Sequence, residues 1–64
     1  MDESTVAQAF SKRLIAAREA MGLTQVQLGE KLGVSQQTVA EWEAGRGFPR
    51  PARRDRLAEI LGIE

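Results

Sequence analysis

The chain has 64 residues, nine lysines and arginines against nine aspartates and glutamates, and no cysteine, histidine or tyrosine. That length supports one domain around one small core. The missing residue types exclude disulfides, a thiolate metal site and a nucleophile–base pair built on Cys, His or Tyr, so an enzyme is the poorest reading.

The opening "MDESTVAQAF" is acidic and has no basic segment followed by a long apolar one, so it does not read as a secretory signal. No apolar run reaches the roughly 20 residues of a membrane span. With no cysteine, the chain points to the cytoplasm. Residues 1–64 read as a single domain, with Met1–Ser4 as a frayed tail.

Thr5 and Gln8 stand at capping-box spacing and mark the start of a first helix running to about Met21. Phe10, Leu14, Ala17 and Met21 recur at steps of four, three and four and form its apolar stripe. Ile15 lies off that stripe and is expected to be partly exposed. Thr24 and Gln27 repeat the capping-box spacing at the start of a second helix, where Leu28 and Leu32 share a face. Ser35 is a good N-cap for a third helix that buries Val39 and Trp42. A fourth helix runs from Pro51 or Ala52 to Leu61, with proline suited to its first turn and Leu57, Ile60 and Leu61 on its apolar side. Gly22, Gly33, Gly45 and Gly62 each follow a periodic stretch, where a left-handed C-terminal cap belongs. No segment alternates long enough for a strand. The fold class is all-α: a compact four-helix domain.

Only "GVS" joins the second and third helices. A connection that short forces a sharp bend, and the helices must nearly touch beside it. Gly29 lies one turn before the bend. A helical glycine costs about 1 kcal/mol relative to alanine, so it needs a packing reason, and this close approach is one. Val34 in the turn and Val39 beyond it fill the angle between the helices, and Trp42 and Leu32 extend the same core.

The stretch "TQVQLGEKLGVSQQTVAEWEAG" resembles the helix-turn-helix of the Xre/Cro-like (lambda-repressor-like) phage and bacterial repressors. "REAMGLTQ" before it and "FPRPARRDRLAEILGI" after it fit the family's first and fourth helices, so the likeness covers about residues 10 to 63. It implies sequence-specific binding of double-stranded DNA, with the helix at about residues 36–44 in the major groove. It places Gln36 and Gln37 at base-reading positions, with Ala40 facing the same side and Glu41 one turn on. Glutamine can pair bidentately with adenine, Ala40 can touch a thymine methyl, and Glu41 can accept from cytosine or repel wrong sequences. Gln25 is placed against the DNA backbone. In "GRGFPR", Gly47 permits close approach of the backbone to a phosphate, while Arg46 and Arg50 supply charge. Arg18 and Glu43 match positions that pair across the family's fold, which makes them a structural salt bridge.

The net charge is zero, yet five arginines stand against one aspartate between Gly45 and Arg56. The average conceals one basic end. Pro51, Arg54 and Asp55 depart from the family's leucine-like residues in helix four; Phe48 and Pro49 can cover the gap. Phe48 packs either within the monomer or, with Ile63, across a dimer. The resemblance therefore leads to a small transcriptional repressor of phage or bacterial type. It would act by occupying a palindromic operator as a weak homodimer assembled on DNA, with no cofactor, metal or small-molecule ligand. The alternative is an antitoxin or regulatory protein-interaction module on the same scaffold, which the neutral charge and the acidic Glu41 and Glu43 favour slightly.

Overall fold

The computed structural model describes residues 3–62, with side chains placed from residue 6. Four helices follow one another: α1 (Glu3–Ala20), α2 (Gln25–Leu32), α3 (Gln36–Glu43) and α4 (Pro51–Leu61). No strand occurs among the described residues, and no helix there is long and apolar enough to cross a membrane. α3 packs against both α1 and α2, and α4 packs against α2. One side chain from each helix meets at the centre: Leu14, Leu28, Val39 and Leu57 are all fully buried. Burying such a side chain contributes about 1.5–3 kcal/mol. Leu32, Trp42 and Leu61 enlarge this core, and Phe10, Ala17, Leu23, Val34 and Ile60 pack around it.

α1 departs from its expected bounds at both ends. It starts at Glu3, two residues before Thr5, so Thr5 lies within the helix and is not its cap. No glycine or proline between Glu3 and Ala9 breaks the helix. The tail expected over Met1–Ser4 is thus corrected at Glu3 and Ser4, which are helical; Met1 and Asp2 lie outside the described residues. At the other end Met21 has left the helix and is 48% exposed. Of the expected stripe, Leu14 is buried and Phe10 and Ala17 pack against the core; Ala7 and Ser11 are buried beside them. Ser11 is tolerated there because its hydroxyl donates to the Gln8 carbonyl at 2.9 Å.

The other three helices begin and end as the spacing implies. Thr24 and Gln27 form a reciprocal capping box on α2, and the Ser35 side chain accepts from the Thr38 N–H on α3. α4 opens with Pro51 in its first turn, and the Arg50 side chain makes no capping bond. Gly22, Gly33, Gly45 and Gly62 all have φ between 68° and 76°.

The bend between α2 and α3 is set by two glycines for different reasons. Gly33, at φ 76°, takes the left-handed conformation that lets the Val34 N–H bond back to the Gly29 carbonyl at 2.9 Å. Gly29 is needed for space. A Cβ there would stand 2.7 Å from the Val34 carbonyl oxygen, and that oxygen is backbone, which cannot swing aside.

Candidate nucleic-acid interface

α3 turns Val39 and Trp42 inward, so the 3.6-residue period leaves Gln37, Glu41 and Ala44 exposed on the opposite side, with Ala40 half-buried between them. The helix ends in a reversal at Gly45. The Gly45 N–H bonds to the Trp42 carbonyl at 3.1 Å and the Arg46 N–H to the Glu41 carbonyl at 3.0 Å. In such reversals the residue after the glycine frequently makes an apolar contact back onto the helix's last turn. Here it is Arg46, and it is exposed. Gln37, Ala40, Glu41, Ala44 and Arg46 consequently line one shallow surface depression, a strip of amide, methyl, carboxylate and guanidinium groups.

Gln36 occupies the flank of the same helix that faces α2. Its Nε2 donates to Gln25 Oε1 at 2.6 Å. Gln25 Nε2 in turn donates to Glu43 Oε1 at 3.0 Å. Glu43 lies seven residues beyond Gln36, on the same flank two turns on, and one glutamine from α2 spans the distance between them. Glu43 completes its shell with Arg18, which donates from Nε to Oε2 at 2.6 Å and from Nη2 to Oε1 at 3.1 Å. Arg18 Nη1 also donates to the Leu23 carbonyl at 2.8 Å, in the turn between α1 and α2.

The Arg18 and Glu43 side chains are 15% and 6% exposed, so this bidentate pair is largely removed from water. The hydrogen bond to Glu43 raises the Arg18 pKa above its ordinary value, outweighing a burial effect in the opposite direction. No buried side-chain nitrogen or oxygen among the described residues is left without a partner. The four residues from α1, α2 and α3 thus form one continuous polar chain from the interior to the leading end of α3.

The loop after α3 carries a different signal. Gly47 has neither a positive φ nor any atom within 4 Å of where its Cβ would be. The fold therefore gives no reason for glycine at this position. Arg50 is exposed. Phe48 packs its ring on Phe10, centroids 5.5 Å apart and planes tilted by 42°, and remains 38% exposed. Pro49 beside it is buried. Ile63, paired with Phe48 in the expected dimer contact, lies outside the described residues.

Arg53 has a role that spacing did not suggest. Its Nη1 donates to the Leu32 carbonyl at the C-terminus of α2, tying α4 to the bend. The only forward signal would have been a cation able to reach a helix end, and such a signal needs the tertiary placement to be recognised. Arg56 pairs with Glu59 at 3.5 Å on the surface, which has little energetic weight.

The family described as helix-turn-helix matches residues 14–64, most of the chain. The chain belongs to the Xre/Cro-like helix-turn-helix family. Two relatives are similar to it. An uncharacterized HTH-type transcriptional regulator of Methanothermobacter thermautotrophicus is 43% identical over 47 residues, covering 73% of this chain and 68% of the relative. The HTH-type transcriptional activator BcrR of Enterococcus faecalis is 42% identical over 40 residues, covering 62% of this chain but 20% of the relative. The match to the activator therefore concerns about one fifth of that protein. No solved structure matches significantly. In this helix-turn-helix domain, α2 and α3 are the two helices of the motif.

Proposed function

We propose that this helix-turn-helix domain regulates transcription by binding double-stranded DNA in a sequence-specific manner, with α3 in the major groove. The observation that carries the reading is at the leading end of α3. Gln36 and Gln37 are adjacent exposed residues in the first turn of a capped helix that turns Val39 and Trp42 into the core. Gln36, Gln37, Ala40 and Glu41 contact base edges. Gln25, Arg46, Gly47 and Arg50 hold the phosphate backbone. Gln25 keeps the second hydrogen of its side-chain nitrogen for this, since the first serves Glu43. Gly47 supports the reading independently: a glycine that neither backbone conformation nor packing requires leaves room for something outside the chain.

The domain measures 31 × 22 × 21 Å. Successive major-groove faces on one side of a duplex stand about 34 Å apart. One copy therefore reads a single half-site, and two copies on a palindromic operator read both. Phe48, partly exposed beside α3's end, and Ile63 supply the weak contact between them. Occupancy of such an operator obstructs any machinery that needs the same duplex, which makes repression of phage or bacterial type the simplest outcome.

Selection of bound sites from random duplex DNA tests this. The expected result is an enriched two-fold-symmetric site whose binding weakens steeply with salt, as counterion release demands. Recovery of no preferred sequence, or salt-independent capture of a protein partner instead, would overturn it and favour the antitoxin-like module.

A further inference from the structure

The chain of hydrogen bonds from Arg18 to Gln36 has a direction, and the direction begins at Glu43. A carboxylate only accepts. Glu43 Oε1 therefore demands the nitrogen end of the Gln25 amide, which stands 3.0 Å away; the oxygen end there would set two acceptors face to face. With its nitrogen committed, Gln25 turns Oε1 toward Gln36. Gln36 must answer with its own nitrogen, at 2.6 Å.

A free glutamine amide has two orientations, related by a half-turn, that exchange donor and acceptor. In an exposed residue such as Gln36 they are nearly equal in energy. The relay removes one of them. Arg18 contributes by holding Glu43 with two donors, so that its outer lone pair stays aimed at Gln25.

We propose that Glu43 is a positioning residue for base selection: through Gln25 it determines which end of the Gln36 amide donates and which accepts at the base edge. Gln36 then presents Oε1 together with the remaining hydrogen of Nε2, in one fixed order. The base edge that matches an acceptor and a donor side by side is adenine, through its N6–H and N7. The inference rests on the proposed function, since it assigns a partner to a base-reading residue. It adds that a largely buried residue touching no DNA sets the selectivity at one base pair.

The experiment begins with the site selected by the wild-type domain. Four duplexes varying at the base pair that depends on Gln36, identified with Gln36→Ala, are titrated with wild type, Glu43→Gln, Gln25→Ala and the double variant. Glu43→Gln can offer its own nitrogen to Gln25, which allows Gln25 and then Gln36 to turn over. The wild type is expected to prefer one base by about 5- to 150-fold, the range for a bidentate pair. Glu43→Gln should abolish most of that ratio at this base pair and leave the other positions unchanged. Gln25→Ala should do the same, and Glu43→Gln should have no further effect on the ratio once Gln25 is gone.

Loss of affinity for all four duplexes alike reports phosphate contact or stability, so the ratio is the readout. An unchanged ratio in Glu43→Gln, confirmed folded by thermal melting, would overturn the relay. So would an effect of Glu43→Gln that persists in the Gln25→Ala background. If Glu43→Gln fails to fold, Gln25→Ala decides alone, because it leaves the Arg18–Glu43 pair in place; a wild-type ratio there overturns the relay. A wild-type domain that selects no sequence removes the proposed function itself, whereas a Gln36-dependent preference indifferent to Glu43 and Gln25 removes only the relay.

Discussion

The two ends of this domain are built to different standards. From Thr24 to Gly45 both helices have side-chain caps, their backbones meet at Gly29, and Leu28, Leu32, Val39 and Trp42 are buried. From Arg50 onward the fourth helix lacks a side-chain cap, its first six residues are exposed, and only Leu57 and Leu61 are buried. The difference teaches where precision is needed. A helix that carries the proposed base contacts has to be held in angle and register, whereas a helix that closes a core needs only its apolar end in place.

The largest test breaks the better-built region at its electrostatic tie. Arg18→Ala leaves the Glu43 carboxylate, 6% exposed, without its main partner. Removing one member of a buried pair costs about 3–5 kcal/mol. Small domains sit near the lower end of about 5–15 kcal/mol in total stability, so this variant should be only marginally stable at room temperature, with a strongly lowered melting temperature by circular dichroism. Acid does not act through Arg18. Its pKa is raised, so the stabilisation it contributes is present at every pH below its unfolded value and is lost only in strong alkali.

Next in size is Gly29→Ala. Helix propensity alone favours alanine by about 1 kcal/mol. The added Cβ nevertheless meets the Val34 carbonyl at 2.7 Å, and forcing the helices apart should cost about 1–3 kcal/mol net in urea melts. A stabilised variant would show that the close approach at the bend is slack.

Gln37→Ala separates stability from recognition in the same region. Its side chain is exposed at the leading end of α3. The melting temperature should hardly move, while binding to a selected site weakens by about 1–3 kcal/mol with preference lost at one or two base pairs. Unaltered selectivity would show that another face of α3 reads DNA.

The smallest test compares two neighbours in the looser region. Arg53→Ala removes the bond to the Leu32 carbonyl and should cost about 1 kcal/mol. Arg54→Ala, on an exposed stretch with no such bond, should stay within about 0.5 kcal/mol of wild type. Equal effects would mean that α4 is not tied to the bend through Arg53.

What the sequence determined by itself is local. Caps act over three residues, C-terminal glycines act on one φ, and burial repeats with the helical period. Thr24 with Gln27, Ser35, the four closing glycines and the inward faces of α2, α3 and α4 were therefore legible without coordinates, as was the need for a small residue at Gly29. The same logic found the Phe10, Leu14 and Ala17 face of α1 but misjudged its ends, where Thr5 lies inside a longer helix and Met21 is exposed, and it missed Ser11, buried because its own turn satisfies it. Only the tertiary structure decided which side chains meet across helices. Arg53 reaches the end of α2, Phe48 covers Phe10, and Gln25 stands between Glu43 and Gln36. These contacts join residues 11 to 38 positions apart, over which no periodicity carries information. Their direction follows from hydrogen-bond polarity, which becomes readable once the donors and acceptors have been brought face to face.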